Sequence, residues 1–300
     1  RPSHVMRTRI VIGSFIIVAV TAMFWLDLLV AQAWRGYFIC LVAMVVTGAA
    51  LREFFAMAKK ADLQPFRLTG IAFGAVLLPY YLWSEELQRL LGTQTLVAFV
   101  LAPLLALILM LMGRACTRPE GLGPQLKNIA VTVFGVLYVA LPMAFLVRTR
   151  FLDEGWDLVV LVIGVTKASD VGAYFGGTLL GRHKLAPRVS PNKTVEGAVG
   201  GLMASALVSV VMTYAMDIHT LANRGMLATI SFGIVVGVAS QVGDFTESLI
   251  KRSTHANDSG NLLPSFGGVL DLIDSFLVAA PVAYFLLSIF AKIAVPLGKT

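Results

Sequence analysis

Charge is the first scarcity in this chain. Only 24 Lys and Arg and 17 Asp and Glu occur in 300 residues, 14% in all, where a soluble domain carries about a quarter. An ordinary water-soluble domain is thereby excluded. Cysteine is scarcer still: Cys40 and Cys116 lie in or beside apolar segments and share no metal-ligand spacing, which excludes a disulfide framework and a zinc site. His183 and His255 are loop residues with no partners at metal-ligand spacing. An internal repeat and an inserted soluble domain are also missing. What is abundant is apolar: 57% hydrophobic residues and a mean hydropathy of +0.82. These residues come in blocks of roughly twenty, the length that crosses a hydrocarbon core as a helix. In such a chain the formal net charge of +7 marks cytoplasmic loops and anionic headgroups, and nucleic acid is not an expected partner.

The blocks predict an all-α, polytopic transmembrane bundle with about nine spans, near 10–31, 36–58, 68–84, 94–113, 127–147, 157–180, 195–216, 226–247 and 275–296. The third is short and the sixth is interrupted by polar residues. The apolar run Ile10–Val30 follows Arg7 and Arg9 and exceeds the roughly 7–15 residues of a signal-peptide core, so it reads as a retained first helix. Residues 1–126 form an N-terminal group of about four spans, and 127–300 a C-terminal region with the chemistry-bearing residues. With the N-terminus cytoplasmic, one set of loops holds fifteen Lys and Arg and the opposite set seven. That bias favours N-terminus in, C-terminus out, and puts loops 181–194 and 248–274 together on the cytoplasmic side of a membrane.

Polar residues at membrane depth are expensive and mark function by default. Lys167 and Asp170 are three apart, so on a helix they share a face and either neutralise each other or serve a site. The following basic stretch, Gly181 to Gly197, contains Ser190, Lys193 and Thr194 just before a helix start. Backbone amides there, with Lys193, suit a polyphosphate; a plain positive-inside loop is the alternative. Further on, Asp244, Ser248 and Lys251 recur at helical spacing, with Arg252 adjacent. Asp258, Asp271 and Asp274 complete four acids within about thirty residues. Helix capping explains one of them; together Asp244, Asp258, Asp271 and Asp274 predict a hard-oxygen cation site, and Mg²⁺ favours one or two carboxylates plus substrate phosphates. Gly197-x₃-Gly201 and Gly233-x₃-Gly237 predict close helix packing. Trp34 and Trp156 near span ends fit an aromatic belt. Glu53 beside Arg52 reads equally as a packed pair or a headgroup contact.

These residues resemble the integral-membrane phosphatidate cytidylyltransferases (CDP-diacylglycerol synthases) along most of the chain, most strongly over about 160–290. Ser169-Asp170-Val-Gly-Ala-Tyr174 and Gly181 through Ser190-Pro-Asn-Lys193-Thr194-Val-Glu196-Gly look like the family's middle block. Gly243-Asp244 through Lys251-Arg252, then Asp258-Ser-Gly-Asn-Leu-Leu-Pro264 and Gly267-Gly268-Val-Leu-Asp271-Leu-Ile-Asp274, follow its C-terminal signature. The pattern departs at Asn257, Ser265, Phe266 and Leu272, where the family has Lys, Gly, His and Arg. The acids are retained while three basic side chains near the phosphates are lost.

The resemblance implies CTP plus phosphatidate giving CDP-diacylglycerol and pyrophosphate, with Mg²⁺ and a monovalent cation such as K⁺. It implies cation binding by Asp244, Asp258, Asp271 and Asp274, triphosphate binding by Ser190, Lys193 and Thr194, and phosphate contacts from Ser248, Lys251 and Arg252. Asp170 is expected to face the cavity. CTP, phosphatidate, membrane lipids and a second copy of the chain are the expected partners, and a bacterial inner membrane the expected location. A CTP-dependent polyprenol or phytol kinase is the nearest alternative and releases CDP. The CDP-alcohol phosphotransferases have a different spacing, Gly-x₃-Asp-x₃-Asp, against Gly268-x₂-Asp271-x₂-Asp274 here. A transporter is disfavoured because the polar residues crowd into one half; an inactive homologue is the remaining alternative.

Overall fold

The computed structural model describes residues 36–91, 96–118, 121, 123–256, 258–260 and 267–293. Its elements, in chain order, are α1 (Tyr37–Lys60), α2 (Arg67–Leu91), α3 (Leu96–Ala115), α4 (Gln125–Thr149), α5 (Gly155–Leu180), β1 (Lys184–Ala186), β2 (Ser190–Thr194), α6 (Val195–Ala215), α7 (His219–Ala222), α8 (Met226–Ser253), α9 (Val269–Ile273) and α10 (Phe276–Ile293). The helical class expected from composition holds.

Among the described residues six helices are long and apolar enough to cross a membrane: α1, α4, α5, α6, α8 and the run Val269–Ala291. The chain is an integral membrane protein. α2 and α3 hold shorter apolar stretches, Arg67–Tyr80 and Leu101–Ala115. The expected nine spans are therefore not reached among the described residues; the first, 10–31, lies outside them, as do Trp34, Asn257, Ser265 and Phe266.

The chain divides into two compact units: residues 1–147 with 253–272, and residues 148–252 with 273–300. These packing units differ from the sequence halves 1–126 and 127–300. In the first unit α1 lies against α2 and α4 wherever glycine gives room. A Cβ on Gly70 would lie 2.6 Å from the Phe55 ring, and one on Gly135 would lie 2.7 Å from that of Phe54. The loop after α1 is tied to α4 by side chains: Gln64 N donates to Asn128 Oδ1 at 2.9 Å and Phe66 N to Thr132 Oγ1 at 2.9 Å. Just beyond Gly135, α4 loosens into a π-helical stretch, Val136–Ala140.

In the second unit α5 and α6 meet along a glycine seam. A Cβ on Gly172 would lie 2.6 Å from Gly200 O, and one on Gly201 2.8 Å from Ser169 O. Gly233 meets Ser205 and Ser209 of α6 in the same way, so both Gly-x₃-Gly pairs serve packing as expected. α5 is unbroken over 26 residues, contrary to the expected interruption. Its polar residues are accommodated because Lys167 and Asp170 pair at 2.9 Å and the Thr166 hydroxyl donates to Val162 O. Trp156 is buried, with the Arg150 guanidinium over its ring; it packs inside the unit rather than forming part of a belt.

Candidate active site

The stretch after α5 is a β-hairpin, not an irregular loop. Lys184 pairs with Thr194 and Ala186 with Ser190 across the antiparallel strands. Glu196, in the first turn of α6, reaches back to accept from Arg182 N at 3.0 Å and His183 N at 3.2 Å. Its Oε1 also lies 2.6 Å from His183 Nδ1, so His183 has a partner despite its exposure. Thr194 has the extended backbone of an N-cap, and its Oγ1 accepts from Gly197 N at 3.1 Å. The hairpin therefore delivers Lys193 directly at an ordered helix start, where unpaired amides favour an anion.

Opposite the hairpin runs α8. Lys193 Nζ and Asp244 Oδ2 are 2.9 Å apart, and this ion pair places the hairpin and the C-terminal part of α8 at one end of the unit. Beside it opens a cavity of about 920 Å³, within the range of small-molecule sites. Asp170, Ser190, Asn192, Lys193, Thr194 and Asp244 supply its polar lining, and Tyr174, Leu185, Val238, Val242 and Phe245 line it with apolar surface. Asp170 thus lies on the cavity lining, and Ser190, Lys193 and Thr194 fall together on the same lining.

Behind this wall the buried Asp274 is joined through Ser275 to the half-buried Asp170. Ser275 Oγ is 3.1 Å from Asp170 Oδ2 and 2.9 Å from Asp274 Oδ1. One hydroxyl proton satisfies one carboxylate at a time, so the serine links the two acids without neutralising either. Ser240 Oγ reaches Asp170 Oδ1 at 3.4 Å. The charged neighbours of Asp274 are Asp244, Lys167 and Asp170, and Lys167 also lies 4.8 Å from the Phe276 ring centre. Three acids thus share two lysines in a half-dry site.

The four expected cation ligands divide between the units. Asp244 and Asp274 belong to the second, while Asp258 and Asp271 belong to the first. Asp258 is exposed. Asp271 Oδ2 accepts from Gly268 N at 2.6 Å, Ser259 Oγ at 2.8 Å and Ser259 N at 3.2 Å, so it orders its own loop. Among the described residues no three Asp, Glu, His or Cys side chains gather at metal-binding distance. An all-protein metal cage is therefore absent among them.

The basic pair is only partly as expected. Lys251 forms an ion pair with the fully buried Glu247 one turn earlier, at the i,i+4 spacing that brings a Glu and a Lys together on a helix. Arg252 Nε donates to Val189 O at 3.3 Å, fastening the hairpin turn to the end of α8. Ser248 is half-buried one turn beyond Asp244. Sequence reading assigned no role to Ser240 and Gln241. Gln241 Nε2 donates to Ala198 O at 2.9 Å. The available signal was polar spacing: both lie one turn before Asp244 in an apolar helix.

Fold and site together define a helical membrane protein with a cavity lined by Lys193, Asp170 and Asp244 at one end of its second unit. The sequence pattern of the Cytidylyltransferase family matches residues 7–290, and the chain belongs to that family. Curated relatives named phosphatidate cytidylyltransferase include those of Staphylococcus saprophyticus subsp. saprophyticus and Staphylococcus epidermidis, each 39% identical over 160 residues. The Staphylococcus aureus protein is 36% identical over 160 residues. Each alignment spans 53% of this chain and 59% of the relative.

Proposed function

We propose that this chain is a phosphatidate cytidylyltransferase, converting CTP and phosphatidate to CDP-diacylglycerol and pyrophosphate. An oxygen of the lipid phosphate forms a bond to the α-phosphorus of CTP. The bond from that phosphorus to the oxygen bridging to the β-phosphate breaks, and pyrophosphate leaves with the electron pair. Such a transfer needs positioning and charge neutralisation rather than a covalent enzyme nucleophile. The observation that carries the reading is the cavity, which offers a cation at an ordered helix start on one wall and an apolar wall beside it.

Lys193 is the phosphate-binding cation. A triphosphate competes with Asp244 for it and releases the Asp244 carboxylate. Ser190 supplies a further hydroxyl, while Thr194 keeps the helix start in register. Arg252 serves a phosphate from the hairpin side. Asp244 and Asp274 would hold Mg²⁺, with Asp170 beside them and Asp258 and Asp271 assigned to its surroundings. When bound, Mg²⁺ neutralises phosphate charge, and K⁺ dependence is expected alongside. Tyr174, Leu185, Val238, Val242 and Phe245 suit acyl chains arriving from the bilayer. The loop charges support a cytoplasmic site, where CTP is found.

The test uses the purified full chain in detergent with CTP, Mg²⁺ and a panel of lipid phosphates. CDP-lipid and pyrophosphate are the expected products. Release of CDP instead would turn the reading towards a lipid kinase, and the absence of CTP turnover with every lipid would overturn it.

A further inference from the structure

Glu53 lies inside α1, far in sequence from the signature residues, and only 4% of it is exposed. Its carboxylate turns to the segment around α9. Oε2 accepts from Leu270 N at 2.8 Å and lies 3.3 Å from Ser259 Oγ. The same Ser259 hydroxyl is 2.8 Å from Asp271 Oδ2. Glu53 Oε1 is buried without a hydrogen-bond partner among the described residues.

The fit around this carboxylate is close on two sides. A Cβ on Gly260 would lie 2.7 Å from Glu53 Cδ, and a Cβ on Gly268 would also lie 2.7 Å from it. Both glycines are therefore required where the chain passes the carboxylate. A buried carboxylate oxygen left unpaired costs on the order of 1–3 kcal/mol or more. An alanine or leucine would fill α1 without that cost. The arrangement is explained if the carboxylate holds a loop whose geometry matters.

We propose that Glu53 is a positioning residue for the signature loop, holding Ser259 and the first turn of α9 so that Asp271 keeps one orientation. This rests on the cytidylyltransferase reading for its catalytic consequence, but not for the contact itself. Glu53 holds Ser259 and Leu270, so its loss should reach the reaction through Asp271 and spare CTP binding. Partners that orient a cation-binding carboxylate typically change activity or affinity by about 10–100-fold when removed.

The experiment compares Glu53→Ala, Glu53→Gln and Ser259→Ala with the parent as purified full chains. Hydrogen–deuterium exchange of the peptide covering 267–272 is followed without CTP or Mg²⁺, alongside steady-state kinetics with both. In Glu53→Ala, exchange at Leu270 accelerates at least about tenfold, kcat falls about 10–100-fold, and KM for CTP stays within about threefold. Glu53→Gln, whose amide oxygen still accepts from Leu270 N, recovers much of both. Ser259→Ala, which leaves the α1 packing alone, moves in the same direction as Glu53→Ala. Unchanged exchange over 267–272 in Glu53→Ala and Ser259→Ala would overturn the proposal. So would equal loosening of α1 and α4, or a lower kcat accompanied by an equally raised KM for CTP. If the parent itself turns over no CTP, the functional reading fails, and the exchange data still decide the Glu53 contact.

Discussion

At the scale of single residues, Lys193 carries more of the site than any other side chain. It is the cation of the hairpin, and its partner Asp244 stands beside a second acid, Asp274. Removing it leaves that acid group without its nearer lysine and the incoming phosphates without their cation. Lys193→Ala should lower kcat/KM for CTP by about 10²–10³, the usual effect of losing one preorganised charge-stabilising donor, as read by pyrophosphate release. Glu154 is a residue of the other kind, purely structural. Burial pushes its carboxyl up, but N–H groups of Thr220 and His219 and the Thr220 hydroxyl outweigh that and hold it below the usual glutamate value. A lowered folded value contributes stability above the unfolded pKa of about 4.3, and this is lost as pH falls through the folded value. Glu154→Gln should therefore lower the unfolding temperature at pH 7, by the equivalent of about 1 kcal/mol for a lost cap. The difference from the parent should shrink in scans below about pH 4.

At the scale of elements, the α5–α6 seam decides whether the cavity exists. Asp170 is on α5 and Thr194 caps α6, so their separation depends on how closely the two helices approach. Gly172 has no room for a side chain, since a Cβ would lie 2.5 Å from Ala204 Cβ and 2.6 Å from Gly200 O. Gly172→Leu should abolish the monodisperse peak in detergent gel filtration, because backbone cannot yield as a flexible side chain can. Gly48, in the middle of α1, has nothing within 4 Å of a built Cβ. Gly48→Ala should keep that peak and raise stability by up to about 1 kcal/mol, the helix-propensity gain. Both glycines look alike as letters in an apolar run. The difference lies in the neighbouring helix, which no single-helix pattern contains.

At the scale of the whole molecule, the loop charges make a directional prediction. Arg188 sits exposed in the turn of the hairpin that carries Lys193. With Cys40 and Cys116 replaced by Ser, a single Arg188→Cys should react with a membrane-impermeant maleimide in inverted vesicles and not in right-side-out ones. The reverse pattern would sink the N-terminus-in topology. Removing divalent cations with EDTA should also stop pyrophosphate release reversibly, while leaving detergent gel filtration unchanged.

Composition and apolar run length determined the membrane class, the helical fold and most helix positions. That follows because crossing a bilayer imposes a local, countable requirement on each segment. Polar residues at membrane depth likewise drew attention to Asp170 and Asp244 before any contact was known, since each is costly unless used, and Lys193 was drawn in by its place before a helix start. What the tertiary structure decided were the pairings between distant segments. Lys193 turned to Asp244, Ser275 to Asp170, and Glu53, undecided between packing and headgroup, to Ser259 and Leu270. The hairpin was hidden because its five-residue strand, Ser190–Thr194, contains Pro191 and no alternating apolar pattern. Spacing shows which side chains share a face, but which partner a carboxylate finds depends on how helices from separate parts of the chain close against one another.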